Sequence, residues 1–369
     1  MPPVMDLRGE LWYVLPRGMR FERASATSID LFVAELVAHS RYTSTVFAEF
    51  HGEPLPAAEL VRLPPPAFGA TASRLRAVIR EAASKRAGLI IVQQHLPTAA
   101  GLAKRVTTPI VLQKHNFVRP PRNGYMASLS RSRNRRQWQR LSGLTFVSMA
   151  VLRDFERDWP SVTCPRRVLP NGLDLTLWRP QVVREKSVLV IGRATPEKGL
   201  LEAAQAMAET LRQKPEWTTT FVVSEASRNL AYYGEVCAAL APLDGRATIR
   251  RDVPAEEVRA LNERAGVAVI PSKWREPFGR TCLEAHAGGA AVISSGTGGL
   301  REVSGDAALY LADVTPKEIA ASLMTLLSDP AMRDYLAAEG RARVARHFDL
   351  RRIASDFDDF CAVVMANSR

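Results

Sequence analysis

The sequence has few cysteines and no long apolar run, and each shortage excludes a class of protein. Its 369 residues contain four cysteines, at positions 164, 237, 282 and 361, without CxxC or Cys/His spacing. This scatter predicts reduced core thiols in a cytoplasmic protein and neither a disulfide framework nor a metal site. No apolar stretch approaches the roughly 18 residues that cross a bilayer, and the N-terminus lacks a basic patch followed by an apolar stretch. We therefore expect neither a transmembrane helix nor a secretory signal.

Excess positive charge is confined to the first half of the chain. The net charge is +12. Residues 1–180 contain 26 Lys and Arg against 13 Asp and Glu, whereas residues 181–369 contain 24 against 25. The chain length predicts about two domains. The charge asymmetry predicts that these domains face different partners, the first an anionic one.

Short apolar runs alternate with helical patterns along both halves. Examples are "GLIIV" at 88–92 and "SVLVIG" at 187–192, the second followed by a predicted helix over 198–213. Such alternation predicts α/β domains with doubly wound parallel sheets. Two prolines and turn residues place a linker at 170–186. The predicted domains are 1–180 and 181–349, and the helical pattern of 350–369 could pack back on the first domain.

The glycine fingerprint of dinucleotide-binding domains is missing. A dehydrogenase-like site requires GxGxxG between a strand and a helix. The nearest candidate, "SSGTGGLRE" at 294–302, has a different glycine spacing. The sequence therefore gives little support to a dehydrogenase.

Three unusual loops follow predicted strands of the second half. Gly192 and Arg193 follow the apolar run of one strand, and Lys198 comes next, at the start of a helix. A second loop, "PSKWREPFG" at 271–279, contains Glu276, and a third contains the glycines of 296–299. Ligands of parallel sheets bind at the carboxyl ends of the strands. A helix N-terminus with an Arg and a Lys can hold a diphosphate.

Three segments carry a family resemblance: "VLPNGLDLTLWRP", "GRATPEKGL" and "PSKWREPFGRTCLEAHAGGAAVISSGTGGLREV". They resemble the signature segments of retaining, family-4-type glycosyltransferases, also called glycosyl transferases group 1. The resemblance covers the second half well and the first half thinly. It implies the GT-B architecture, in which two Rossmann-like domains face a cleft and the C-terminal one holds most of the nucleotide-sugar donor.

The resemblance assigns roles to residues of the second half. Arg193 and Lys198 would bind the diphosphate, Glu276 a sugar hydroxyl and Glu284 both ribose hydroxyls. The cation pair would stabilise the leaving phosphate, so we expect neither a metal nor another cofactor. The remaining implied donor contacts are Gly192, Asp252, Val253, Phe278, Gly279, Arg280 and Thr281, with Asp252 and Val253 near the base.

The first half offers fewer candidates. His115, after the predicted strand 109–113, matches a family histidine close to the donor sugar. Gly18, Arg20 and His95 would lie on the acceptor side, although the family often has paired glycines where this chain has Gly18 alone. His286 stands where the family commonly has Met, and either helix packing or a change in the donor pocket would explain it.

The segment 119–140 contains seven arginines and no acidic residue. A charge run of this kind is most often a solvated helix face. Here it follows the His115 strand, so we expect it to meet an anionic membrane surface or a lipid-linked or lipopolysaccharide acceptor. No nucleic-acid-binding module is recognisable.

These observations predict a cytoplasmic hexosyltransferase, able to bind the inner face of the plasma membrane peripherally, that moves a sugar from a nucleoside-diphosphate sugar to a glycan or lipid-linked acceptor with retention. A catalytically silent GT-B protein that binds nucleotides or glycans, a GT-B epimerase and a nucleic-acid binder remain as alternatives. A phosphorylase would need a pyridoxal-phosphate lysine, and none is identifiable.

Overall fold

The structure, a computed structural model, describes residues 9–23, 27–57, 59–63, 70–120 and 125–368. It divides into two compact units. The N-terminal unit comprises residues 1–172 and 350–369, and the C-terminal unit comprises 173–349. Each unit is an α/β structure built on its own parallel sheet, as the alternation of strands and helices predicted.

The N-terminal unit has a seven-stranded sheet whose pairs are all parallel. Its strands are β1 (Glu10–Val14), β2 (Ser44–Ala48), β3 (Glu59–Arg62), β4 (Ala87–Gln93), β5 (Ile110–Lys114), β6 (Gly143–Phe146) and β7 (Arg166–Val168). The strand order is β3-β2-β1-β4-β5-β6-β7, so the direction of winding reverses between β1 and β4. Ligands bind at such a switch point in open parallel sheets.

Helices connect these strands. They are α1 (Ser28–His39), α2 (Ala70–Ser84), α3 (Leu96–Leu102), α4 (Tyr125–Trp138) and α5 (Met149–Asp158). A capping box begins α1, because the Thr27 side chain accepts from the amide of Asp30 and the Asp30 carboxylate accepts from the amide of Thr27.

The C-terminal unit has a six-stranded parallel sheet in the order β10-β9-β8-β11-β12-β13. Its strands are β8 (Glu185–Arg193), β9 (Thr218–Ser224), β10 (Ala247–Arg251), β11 (Ala265–Ile270), β12 (Ala291–Ser294) and β13 (Ala308–Tyr310). Alternate residues of β8 enter two hydrophobic clusters: Val188 and Val190 one, Leu189 the other. The sheet is therefore covered on both faces.

The helices of this unit are α6 (Leu200–Gln213), α7 (Leu230–Leu240), α8 (Ala255–Arg264), α9 (Arg280–Gly288), α10 (Leu300–Ser304), α11 (Pro316–Ser328) and α12 (Pro330–His347). The helix predicted from residue 198 begins later, at Leu200. Residues 196–198 form a short 3-10 helix, and Gly199 breaks it with a left-handed backbone, φ +69°.

The unit boundary falls inside the predicted linker, but after Gly172 and not after residue 180. Residues 173–181 bond to the C-terminal unit: the amide of Leu173 donates to Phe348 O at 2.9 Å, and that of Gln181 donates to Glu263 O at 3.0 Å. The last helix, α13 (Leu350–Ala366), belongs to the N-terminal unit, where Phe357 and Phe360 join the core.

Among the described residues no helix is both long and apolar enough to span a membrane.

Candidate functional site

Three loops meet at one edge of the C-terminal sheet, beyond the neighbouring strands β8, β11 and β12. The amides of Lys273 and Trp274 donate to Glu197 O at 2.8 and 3.0 Å, which ties the β11 loop to the β8 loop. The Thr297 hydroxyl donates to Trp274 O at 2.8 Å, which ties the β12 loop to the β11 loop. These bonds hold the predicted donor loops as one surface.

Lys198 and Glu276 form the central contact of this surface. The Lys198 Nζ pairs with Glu276 Oε1, which also accepts a 2.8 Å hydrogen bond from the Ser272 hydroxyl. The side chains of Lys198 and Glu276 are 19% and 14% exposed. A cation and a carboxylate therefore lie side by side and reach solvent, where a ligand with a phosphate and hydroxyl groups could engage both.

Gly298 lets the β12 loop approach Glu276. Its φ of +58° disfavours other residues, and a Cβ there would overlap the carbonyl oxygen of Glu276. The next amide, of Gly299, donates to that carbonyl at 2.7 Å. The glycines of "SSGTGG" thus fix the Glu276 backbone. This role differs from that of the glycines in a dinucleotide-binding fingerprint.

Helix α9 begins at this edge with Gly279 as its N-cap. The first amides of a helix have no acceptor within it and favour anions. Phe278 anchors the turn, with its buried ring edge-on to Phe348 at 5.8 Å between centroids. Glu284, in the second turn, accepts from Arg280 Nε at 2.9 Å, and both side chains are largely buried. Thr281 is partly exposed between them.

The other donor candidates differ in exposure. Gly192 is buried and Arg193, the last residue of β8, is exposed. Asp252 is exposed with a φ of +46°, and its Oδ1 accepts from the amide of Glu225 at 2.8 Å. Val253 packs against the cluster of Leu189 and Val222, so its side chain contributes to the hydrophobic core.

His286 is a packing residue. It is fully buried, and its Nε2 lies 2.9 Å from the Ser304 hydroxyl. Burial, with a smaller effect from Arg343, lowers the pKa of His286 to about 3, so the ring is neutral at pH 7. Gly340 of α12 lies against the ring, where a Cβ would overlap Nδ1. Of the two explanations offered by the sequence, packing agrees with these contacts.

The acceptor-side candidates lie at the carboxyl edge of the N-terminal sheet. Gly18, with φ +76°, donates its amide to Glu49 Oε1 at 3.2 Å. Arg20 is exposed and lies 3.8 Å from Glu22. His95 precedes α3, and its Nδ1 lies 2.8 Å from the Thr98 hydroxyl.

His115 follows β5 at the same edge. Its Nε2 lies 2.7 Å from Gln93 Oε1, and Phe32 packs edge-on to the ring at 5.8 Å between centroids. Burial, helped by Lys114, lowers the pKa of His115 to about 3. The ring is therefore neutral at pH 7 and can act as a hydrogen-bonding group but not as a cation.

Sequence reasoning missed several polar residues of these edges. Ser272 and Thr297 lie in loops that were recognised, and their position directly after strands was an available signal. Arg74, on α2, and the buried Lys114, at the end of β5, gave no signal, because their importance depends on contacts with Glu49 and with Gln94.

The arginine-rich segment is helical from Tyr125 to Trp138. Trp138 is buried against Phe155, with ring centroids 5.0 Å apart. The described arginines of α4 and the turn after it are all exposed: Arg131, Arg133, Arg135, Arg136 and Arg140. Residues 121–124, with Arg122, lie outside the described part of the chain.

Known families match most of the chain. The model of Glycosyl transferases group 1 matches residues 179–343, and that of Glycosyltransferase Family 4 matches residues 25–177. A glycogen synthase of Mycobacterium tuberculosis is 33% identical over 207 residues, which are 52% of this chain and 44% of that protein. A lipopolysaccharide core biosynthesis mannosyltransferase of Rhizobium leguminosarum is 27% identical over 221 residues, 56% of this chain and 62% of that one.

The chain thus spans less than two thirds of these relatives. Among solved structures, HepE of Anabaena in complex with UDP and glucose has a TM-score of 0.73 at 17% identity, covering 95% of this chain and 99% of that one. This likeness supports the fold. With both family models matched in order along the chain, the protein belongs to the GT-B glycosyltransferases of the family 4 type.

Proposed function

We propose that the protein transfers a sugar from a nucleoside-diphosphate sugar to a glycan or lipid-linked acceptor and retains the anomeric configuration. The observation that carries the proposal is the linked set of loops at β8, β11 and β12, with Arg193, Lys198 and Glu276 at one sheet edge. Relatives named as glycogen synthase and mannosyltransferase act in glycan synthesis, which agrees with the proposal.

The site explains how the leaving group would be stabilised. Negative charge grows on the β-phosphate as the glycosidic bond breaks, and positioned cations and amides lower the barrier. Lys198, Arg193 and the first amides of α9 supply such groups. Lys198 pairs with Glu276, so donor binding would exchange this pair for a phosphate at Lys198 and a sugar hydroxyl at Glu276.

The acceptor side is proposed to meet an anionic membrane surface. Five exposed arginines on and after α4 make this helix strongly positive, and Trp138 packs it against Phe155. Each basic residue near an anionic leaflet contributes on the order of 1 kcal/mol. A protein working on a lipid-linked or lipopolysaccharide acceptor at the inner face of the membrane would use this attraction.

The test is transfer with a panel of nucleotide sugars, before and after EDTA treatment. Arg193→Ala and Lys198→Ala should each lower turnover at least about tenfold, or about 1.4 kcal/mol of transition-state stabilisation. Lys273→Ala is the matched control, because this lysine of the same loops pairs with Glu202 and not with Glu276. We expect EDTA to leave the activity of the wild type unchanged.

Two results would contradict the proposal. One is that the folded protein binds none of the nucleoside diphosphates. The other is near-normal turnover in both phosphate-site variants with the natural donor. A strict requirement for Mg²⁺ or Mn²⁺ in the chemical step would remove the leaving-group role from the two cations.

A further inference from the structure

Two buried cations lie at the carboxyl edge of the N-terminal sheet, and the established family membership does not account for them. Arg74 of α2 is 2% exposed, and its Nη1 donates to Leu15 O at 2.7 Å. Lys114 of β5 is 7% exposed, and its Nζ donates to Gln94 O at 3.0 Å. Leu15 and Gln94 directly follow β1 and β4, the strands that flank the switch point.

The acidic groups at this edge balance the positive charge incompletely. Glu49 pairs with Arg74 and also accepts from the amide of Gly18. Glu22 is used by Arg20 and by the amides of His51 and Gly52. Within the described part of the chain, no carboxylate pairs with Lys114 or with the exposed Arg17. Among the described residues, these two positive charges therefore have no partner of opposite sign.

The pKa of His95 indicates that these cations lie around its ring. Burial lowers the pKa of its imidazole, and the charges of Arg17, Arg74 and Lys114 lower it further. Burial, together with the charge of Arg17, lowers the pKa of Arg74 to about 10. Cations that disfavour each other's charged forms create a positive field around His95.

A buried ammonium without a counter-charge is costly. Burial alone lowers the pKa of Lys114 to about 8, and only one of its three N–H donors is used within the described chain. An oxyanion would supply acceptors for the free donors and neutralise the charge. Loops after parallel strands beside a switch point are also where ligands of such sheets bind.

We propose that Arg17, Arg74, Lys114 and His95 form a subsite for an oxyanion, a phosphate or carboxylate group, carried by the acceptor. Arg17 and Lys114 provide the uncompensated charge, Arg74 is held in place by Glu49 and Leu15, and His95 donates or accepts beside them. The assignment of this oxyanion to the acceptor rests on the proposed transferase function. The existence of the anion subsite does not depend on that function.

The first experiment titrates inorganic phosphate, and acetate in a parallel series, by calorimetry at constant ionic strength. The donor site is first blocked with whichever of UDP, GDP or ADP binds. Wild type should bind at least one anion. Arg17→Ala and Lys114→Met should each weaken that binding about tenfold, equivalent to about 1.4 kcal/mol. Arg76→Ala, which removes an exposed guanidinium from the same helix as Arg74, should stay within about twofold of wild type, as expected for a surface charge.

The second measurement locates the anion. A bound oxyanion favours the charged form of a neighbouring imidazole, so phosphate should raise the pKa of His95 in an NMR titration of the ring protons. The ring signals of His39, at the end of α1, serve as the internal control. Phosphate should not change their behaviour. Lys114→Met could disturb the loop at Gln94, whereas the exposed Arg17 can be removed without that risk.

The outcomes separate the two proposals. If no nucleoside diphosphate binds, the donor proposal fails, and the phosphate titration is then performed on the Arg193→Ala, Lys198→Ala double variant. If neither anion binds to a folded protein, or if Arg17→Ala and Lys114→Met bind like wild type, the oxyanion subsite is overturned. Phosphate binding with acetate inert identifies a phosphate-bearing group, and the reverse identifies a carboxylate.

Discussion

At the level of single residues, Glu276 and Glu284 differ in their partners. Glu276 pairs with Lys198 of the β8 loop and with Ser272 of its own β11 loop, whereas Glu284 pairs with Arg280 on its own helix. The proposed roles follow this difference. Glu276 would contact the sugar, whose charge changes as the bond breaks, and Glu284 would contact the unchanging ribose.

We therefore expect the two alanine variants to fail differently. Glu284→Ala should weaken binding of the bare nucleoside diphosphate and raise the donor KM, since an interaction equal in ground and transition states acts mainly on binding. Glu276→Ala should leave diphosphate affinity within a few-fold but lower kcat strongly. Glu276→Gln should be intermediate, because the amide keeps one acceptor oxygen and loses the charge. Calorimetry beside steady-state kinetics measures both effects, and the opposite pattern would exchange the roles.

The buried His286 makes stability depend on pH. Its pKa is lowered to about 3 in the folded protein, against about 6.5 in an unfolded chain. Between these values the unfolded state binds the extra proton, so the free energy of unfolding should fall as pH decreases from about 6.5 towards 3, by up to about 1.4 kcal/mol per pH unit.

Urea unfolding at pH 7, 6 and 5 checks this expectation. His286→Met should unfold with a shallower pH dependence than wild type, since Met has no proton to gain. His39→Gln, at the end of α1, is the control for the loss of a histidine that is only partly buried. An unchanged slope in His286→Met would show that acid sensitivity originates elsewhere, for example at His115.

At the level of elements, α9 and α12 pack closely because Gly340 of α12 has no side chain. A glycine inside a helix normally loses up to about 1 kcal/mol relative to alanine. Gly340 is an exception, because its Cβ would overlap the ring of His286. Gly234 in α7 is the opposite case, with no atom within 4 Å of a built Cβ.

The two Gly→Ala variants should therefore have opposite signs. Gly340→Ala should destabilise the protein by about 1–3 kcal/mol through overpacking, whereas Gly234→Ala should stabilise it by up to about 1 kcal/mol. Denaturant midpoints of both variants measure this. Combining Gly340→Ala with His286→Ala should cost less than the sum of the single changes, because the two residues are in contact. A stabilising Gly340→Ala would contradict the packing described for α9 and α12.

At the level of the whole molecule, part of the excess charge of the first half comes from the five exposed arginines on and after α4. If these arginines meet a membrane, the chain should bind vesicles containing anionic lipid and release them as salt rises. The double change Arg131→Gln, Arg135→Gln should weaken vesicle binding by about tenfold or more, at about 1 kcal/mol per residue. Co-sedimentation at several salt concentrations measures it.

A matched pair of changes controls for net charge. Arg76→Gln with Arg80→Gln removes two exposed arginines at the same spacing from α2 and should leave vesicle binding close to wild type. Equal losses in both double variants would reduce the effect to overall charge. Tighter binding to an oligonucleotide than to vesicles, lost with Arg131 and Arg135, would favour a nucleic-acid partner.

The fold class and most strands follow from local patterns in the sequence. Runs such as 88–92 and 187–192 are continuously apolar because both faces of a parallel strand are buried, so their signal is local. The strands β3 and β13 were not predicted. No residue of β3 is fully buried and only Ala308 of β13 is, so each is a short segment without a distinctive apolar pattern. The loops at 192–199 and 271–279 were found because Gly, Pro and charge follow strands there.

Which polar groups face each other, in contrast, depends on the folded arrangement of the chain. Lys198 and Glu276 are 78 positions apart, and the chain between them gives no local sign that they pair. The same holds for Arg74 with Glu49, for the buried Lys114 beside Gln94, and for His286 against Gly340. Strand burial and turn geometry depend on neighbouring residues along the chain, whereas ion pairing and desolvation depend on distances in space that arise only when the sheet order brings separate loops together.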